Sequence, residues 1–213
     1  MPKNRPDYSD YLAHFTTDRK PCSEAKSNAT AHVVGMSAKD RLIQILQTKT
    51  ILASRLPWNS RDAVCLTECP WGSLLDHAQH YSPYGVGFNK AFIFGTGGGP
   101  AYYVRADHYQ NQKWDDYVHT FVTPFWPSYR PKKLRNNGVL GDKNVDYSHE
   151  REWRVPHALT FEYSHIEFVI LNTYQDMAQF PRALKDGIGR EKFLLMENYK
   201  QIETIWPVHN LTT

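Results

Sequence analysis

Cysteine is scarce in this chain: Cys22, Cys65 and Cys69 are the whole set among 213 residues. So small and odd a number excludes a disulfide framework and fits a reducing compartment. Net charge is small too, because 25 Lys and Arg against 22 Asp and Glu leave only +3. That balance argues for no nucleic-acid partner by itself, so such a case must rest on local clusters. Long hydrophobic runs are missing. No stretch approaches ~18 apolar residues, so no membrane span is expected. The opening M-P-K-N-R-P-D-Y-S-D lacks the apolar run of a signal peptide. The expectation is a soluble cytoplasmic protein with no membrane partner. No internal repeat is visible.

Aromatic residues are plentiful, at 14%, with 13 Tyr and 6 Trp, and hydrophobic residues make up 41%. This composition excludes disorder over most of the chain and leans toward strands and stacking surfaces. The length fits one domain over residues 1–213, behind a flexible lead at 1–10. Tyr11–Thr16 reads as a strand and 17–35 as a loop. Ser37 is a good N-cap for a helix over 38–48, with Leu42, Ile43, Ile45 and Leu46 as its apolar stripe. Strands are expected at 50–53, 63–67, 84–88 and 101–105, and helices from Pro70 to His80 and from Asp107 to Tyr117. Residues 124–148 read as a loop. Ile166–Leu171 is nearly all apolar and is expected inside a sheet. A helix from Thr173 or Gln175 to Leu184, another over 189–197 and a strand over 202–206 complete the chain. Without strict βαβ alternation, the pattern predicts an α+β fold with an antiparallel or mixed sheet.

Several tempting motifs fail on context. G-T-G-G-G-P at 95–100 neither opens a helix nor carries G-K-S/T, so it reads as a tight connection, not a phosphate loop. Cys65, Cys69, His77 and His80 have the wrong middle spacing for a zinc finger, so no metal is expected. There is no G-x-S-x-G elbow.

Three stretches carry more. In Y-S-H-E-R-E-W-R-V-P at 147–156, Glu150, Glu152 and Arg154 alternate with Trp153 and Val155. Period two predicts a strand with Trp153 and Val155 inward and the charged groups on the opposite face. That face is either a solvated one with an ion pair worth ~0–1 kcal/mol, or a pair of carboxylates held in one cleft for chemistry. His14 and Thr16 share one face of the first strand, as a satisfied strand histidine or as a polar pair for a ligand's hydroxyls. Arg130, Lys132, Lys133 and Arg135 place four cations within six residues beside aromatic residues. Such a run is a solvated loop or a phosphate-contacting, base-stacking one.

Together these pieces resemble the ADP-ribosyltransferase fold, in the branch of DarT-like nucleic-acid modifiers and AbiGi-type phage-defence proteins. H-F-T at 14–16, T-I-L-A-S at 50–54, C-L-T-E-C-P-W at 65–71 and H-E-R-E-W-R-V-P at 149–156 carry the resemblance by order and spacing. It implies a split, clamp-like pair of small antiparallel or mixed sheets flanked by helices, with NAD as substrate in the cleft and no metal. Glu152 would match the catalytic glutamate and Glu150 the first acid of a Glu-x-Glu pair. His14, with Thr16, would bind the adenosine ribose. Ser54, Tyr81 and Tyr84 would join the NAD site, with Arg61 or Arg55 as the arginine near the pyrophosphate. The loop ahead of the glutamate strand would select the target, so Arg130, Lys132, Lys133 and Arg135 point to a nucleic acid. A toxin or phage-defence effector, with a neutralising antitoxin protein as partner, is the implied role. A protein acceptor and a non-catalytic binding module stand as alternatives.

The chemistry suits that placement. Breaking the nicotinamide–ribose bond builds positive charge on the ribose, as in a glycosidase transition state. One carboxylate steadies that charge where it develops, and a second takes the proton of the incoming nucleophile, worth ~10²–10⁴-fold.

Overall fold

A computed structural model of the chain describes residues 9–18, 33, 35–68, 78, 81–131 and 143–205. Its largest sheet is mixed, and its order begins from the first strand, β1 (Tyr11–Phe15). On one side β1 runs antiparallel to β5 (Gly85–Asn89), then comes β11 (Ile166–Leu171) and at the edge β12 (Phe193–Leu195). On the other side lie β4 (Asp62–Thr67), β9 (Glu152–Val155) and β6 (Gly99–Pro100). Among the described residues, only β11 and β12 pair in parallel within this sheet. Short strands β2 (Thr50–Ile51) and β10 (Leu159–Thr160) form a separate antiparallel pair, and β3 (Ser54–Arg55) lies against β4. The expected α+β class with a mixed sheet is what the chain forms.

Helix α1 (Ala38–Thr48) starts where its capping chemistry dictates. The Ser37 hydroxyl accepts from the Asp40 amide, and Lys49 closes the helix in a left-handed conformation. Its Leu42 and Leu46 are buried with Leu12, Val86, Phe88 and Val169 in the main core. The opposite face of the sheet buries a smaller cluster around Ala13, Phe15 and Ile170, covered by Met196.

The glycine run does serve as a tight connection. After α2 (Lys90–Gly95), Gly97 adopts φ +85°, and a Cβ on Gly98 would meet the Ile93 carbonyl at 2.8 Å. Only glycine passes so close to the preceding helix, which brings β6 onto β9. Beyond it, β7 (Tyr102–Arg105) and β8 (Val122–Phe125) make a parallel pair, linked by α3 (Ala106–Asn111) and α4 (Asp116–His119). The single helix expected over 107–117 is therefore two, and part of the supposed loop from 124 is the end of β8.

The C-terminal third departs most from its expectation. Pro181 interrupts the helix from Thr173, giving α5 (Tyr174–Gln179) and α6 (Arg182–Ile188), because proline has no amide hydrogen and forces Phe180 extended. A helix over 189–197 does not form; β12 occupies it, since Phe193–Leu195 completes a ladder beside β11. The expected strand at 202–206 is helical through Ile205, as the end of α7 (Met196–Ile205). Ile202 and Ile205, three apart, remain exposed there. Among the described residues, no helix is long and apolar enough to cross a membrane. The helix expected from Pro70 lies outside the described residues except for Ala78, which is helical.

Candidate functional site

β1 pairs with β5 over five residues but with β4 at one only, Ala13 opposite Thr67. Further along the same edge of β4, β3 takes Ala63 and Asp62. Cys65, between them, has no strand neighbour on that side among the described residues. A cavity of about 330 Å³ opens at this gap, near the lower end of the range for small-molecule sites. The His14 ring closes the backbone account there, with Nδ1 donating to the Cys65 carbonyl at 2.9 Å. A carbonyl can only accept, so Nδ1 carries the hydrogen and Nε2 of the neutral ring is left as an acceptor. Loss of hydration pulls the His14 pKa down to about 4; the Cys65 bond opposes this and the nearby Arg41 charge adds to it. The imidazole is neutral at pH 7.

Both glutamates reach the same cavity, though not from one strand face. Glu150 ends a 3₁₀ turn, Ser148–Glu150, and Arg151 follows at φ 47°. Only then does β9 begin, at Glu152. Glu68 holds this kink: its amide donates to the Arg151 carbonyl at 3.3 Å, and its carboxylate pairs with the Arg151 guanidinium at 3.1 Å and with Lys90 at 2.8 Å. The Thr67 hydroxyl donates to the Glu150 carbonyl at 2.5 Å.

The solvated-face reading of this strand is overturned. Glu152 is 8% exposed and Arg154 is fully buried. The Arg154 guanidinium donates to both Glu152 oxygens, to the carbonyls of Thr120 and Val122, and to the Thr123 hydroxyl. It also lies 5.1 Å from the Trp58 ring centroid. Val122 and Thr123 of β8, Thr120 just ahead of it and Trp58 from the connection before β4 supply these partners and cover what would otherwise be an open face. Val155 is buried as expected, and Trp153 is half-buried against the main core.

Tyr81 faces the carboxylates and donates to Glu150 Oε1 at 2.9 Å. Burial pushes its pKa well up, and the Glu150 and Glu152 charges push it further. The Cys65 thiol, on the same side of β4 as Thr67, is raised by burial and then by Glu152, so it stays protonated and unreactive.

The other wall belongs to α1. Arg41, Gln44, Ile45 and Thr48 line the cavity at i, i+3, i+4 and i+7. Arg41 Nη1 donates to the Thr17 carbonyl at 2.6 Å and to its hydroxyl at 3.2 Å. Sequence reading missed Arg41 and Gln44. The signal was present, as a polar stripe flanking the leucine stripe, but it resembled an ordinary solvated helix face.

Of the residues anticipated from sequence, His14, Ser54, Tyr81, Glu150 and Glu152 line the cavity together. Thr16, Tyr84, Arg55 and Arg61 are not among its lining residues. Thr16 is buried and donates to the Ala38 and Tyr84 carbonyls. Tyr84 donates to Asp176 at 3.0 Å, and burial followed by that bond pushes its pKa up to about 12. Arg61 pairs with Asp116, and Arg55 with Asp62. Arg130 lies over Trp126 and bonds to the Pro127 carbonyl and to Asn144. Lys132, Lys133 and Arg135 lie outside the described residues, as do Cys22, Cys69, His77 and His80. Among the described residues no three His, Cys, Asp or Glu side chains gather as a metal site.

No family model, no curated protein and no solved structure matches this chain.

Proposed function

We propose that this chain is an NAD-dependent ADP-ribosyltransferase with a nucleic acid as acceptor, acting as a toxin or phage-defence effector. One observation carries the reading: two carboxylates, a neutral imidazole and a guanidinium line one cavity at the parting of β1 and β4. A dinucleotide asks for these groups. Its diphosphate is anionic, its ribose hydroxyls need acceptors, and its glycosidic carbon becomes positive as nicotinamide leaves.

In this reading Arg41 meets the diphosphate, a role the sequence expectation gave to Arg55 or Arg61. His14 Nε2 accepts from a hydroxyl of the adenosine ribose. Glu152 accepts from the hydroxyl of the nicotinamide ribose and steadies the charge growing beside it. The C–N bond to nicotinamide breaks, with its electron pair leaving on the nicotinamide. The acceptor's nucleophilic atom forms the new bond at the same carbon, and its proton passes to Glu150, which Tyr81 holds in place. The acceptor is assigned to nucleic acid through Lys132, Lys133 and Arg135.

A second reading, a ligand-binding module without turnover, is favoured by the Arg154 bonds to both Glu152 oxygens. A two-point clamp of this kind already engages both oxygens of the carboxylate it holds. Incubation with labelled NAD and, separately, DNA, RNA and cell lysate distinguishes these cases. Release of nicotinamide with label on nucleic acid, abolished in Glu152→Gln, supports the transferase. Label on protein moves the acceptor. NAD binding without turnover in any arm leaves the binding module.

A further inference from the structure

Folding already has its apolar stripe on α1: Ala38, Leu42 and Leu46 are buried. On the neighbouring stripe, Arg41 and Gln44 line the cavity and are not among the core residues. Arg41 is tied to Thr17. The Thr48 hydroxyl donates back to the Gln44 backbone carbonyl at 2.9 Å, a bond local to the helix. The Gln44 side chain differs from both. It is half-buried, lines the cavity, and its amide makes no hydrogen bond among the described residues. Two N–H donors and a carbonyl are thus presented to a cleft whose lining includes the apolar Ile45, Ile51 and Leu52. Amide groups left open toward a cleft can pair with a bound molecule without first giving up a hydrogen bond within the described residues.

A primary amide makes a two-point pair with adenine: its NH₂ donates to a ring nitrogen, and its carbonyl accepts from the exocyclic amino group. A planar base also suits flanking aliphatic side chains. We infer that Gln44 reads the adenine edge of the bound dinucleotide and is a specificity-determining residue of this site. The inference rests on the NAD reading above. The half of the molecule it touches follows from placement. Glu150 and Glu152 occupy the β4–β9 side, where nicotinamide must leave, so the α1 wall takes the other end, with the diphosphate at Arg41 between.

Calorimetric titration of the full chain with three probes tests this. ADP-ribose carries adenine without nicotinamide. 1,N⁶-etheno-ADP-ribose has the same edge blocked. Nicotinamide mononucleotide has no adenine. The native chain should bind ADP-ribose roughly 10-fold or more tightly than its etheno form, as expected for one two-point pair. Gln44→Ala should weaken ADP-ribose by a similar factor, bring the two adenine probes to within about twofold, and leave nicotinamide mononucleotide unchanged. Alanine is the strongest helix former and Gln44 is outside the core, so the variant keeps its fold. An unchanged preference in Gln44→Ala, or a loss confined to nicotinamide mononucleotide, overturns the inference and leaves the NAD reading standing. If the native chain binds none of the three probes, both fall together.

Discussion

The carboxylate of Glu152 and the guanidinium of Arg154 meet at two points, Oε1 to Nε at 2.9 Å and Oε2 to Nη2 at 2.7 Å. They are two residues apart on β9, and β7–β8 closes over them. Burying the pair joins the cavity to the second layer of strands. Breaking it from one side strands the other charge.

Arg154→Met should therefore destabilise the protein by about 3–5 kcal/mol, since it leaves Glu152 without its partner. Adding Glu152→Gln to that variant should recover part of the loss, because the buried carboxylate charge is gone. Urea denaturation of the native chain, both single variants and the double variant measures the coupling. Strict additivity would mean that the clamp carries no shared energy.

Glu150 and Glu152 should separate by function. Glu150→Gln keeps an acceptor for Tyr81 but cannot take a proton. Label transfer to the acceptor should fall by roughly 10²-fold or more while hydrolytic release of nicotinamide persists. Glu152→Gln should lower both. Parallel assays of free nicotinamide and of label transfer give the two rates.

His14 sets a pH dependence. Its pKa is about 4 in the folded chain against an ordinary 6.5. Between those values the unfolded chain binds the extra proton, so the stabilisation is complete above pH 6.5 and is lost as pH falls toward 4. The slope from this one group reaches at most about 1.4 kcal/mol per pH unit. Denaturation midpoints at pH 7.5 and 5 should differ more in the native chain than in His14→Gln, whose amide can still donate to Cys65 without titrating.

The basic run should divide in two. Lys132→Ala with Lys133→Ala should weaken nucleic-acid binding and reduce the slope of log affinity against log salt by about 1–2, leaving nicotinamide release intact. Arg130→Ala, which removes the cation over Trp126, should act on thermal stability instead. Filter binding over a salt series, with a melting curve for each variant, tests both halves.

Local chemistry was readable wherever it acts alone. The Ser37 cap and the α1 leucines start and face that helix as read, and Ile166–Leu171 lies inside a sheet. Alternation in the carboxylate strand gives the right partners inward, Val155 above all, but leaves its charged face open between solvent and a cleft. Nothing within 147–156 announces that residues 102–125 will cover it. The left-handed turn at Arg151 was equally hidden, because Glu68, Lys90 and Thr67 hold it from distant positions. In the C-terminal third, Phe193–Leu195 is too short to reveal itself as a strand without β11 beside it.

The chain's own pattern settled what each segment prefers: α1 from its cap and its period, β9 from alternation, the tight turn at Gly97 and Gly98 from glycine. These preferences arise within a few residues, through steric limits and local hydrogen bonds. Tertiary structure alone decided that β1 and β4 touch at one pair and then part. It also decided that Arg41 and Gln44 face the resulting gap, and that Glu152 spends its two oxygens on Arg154. Those outcomes depend on which surfaces are buried against one another between segments distant in the chain, and no short stretch contains that information.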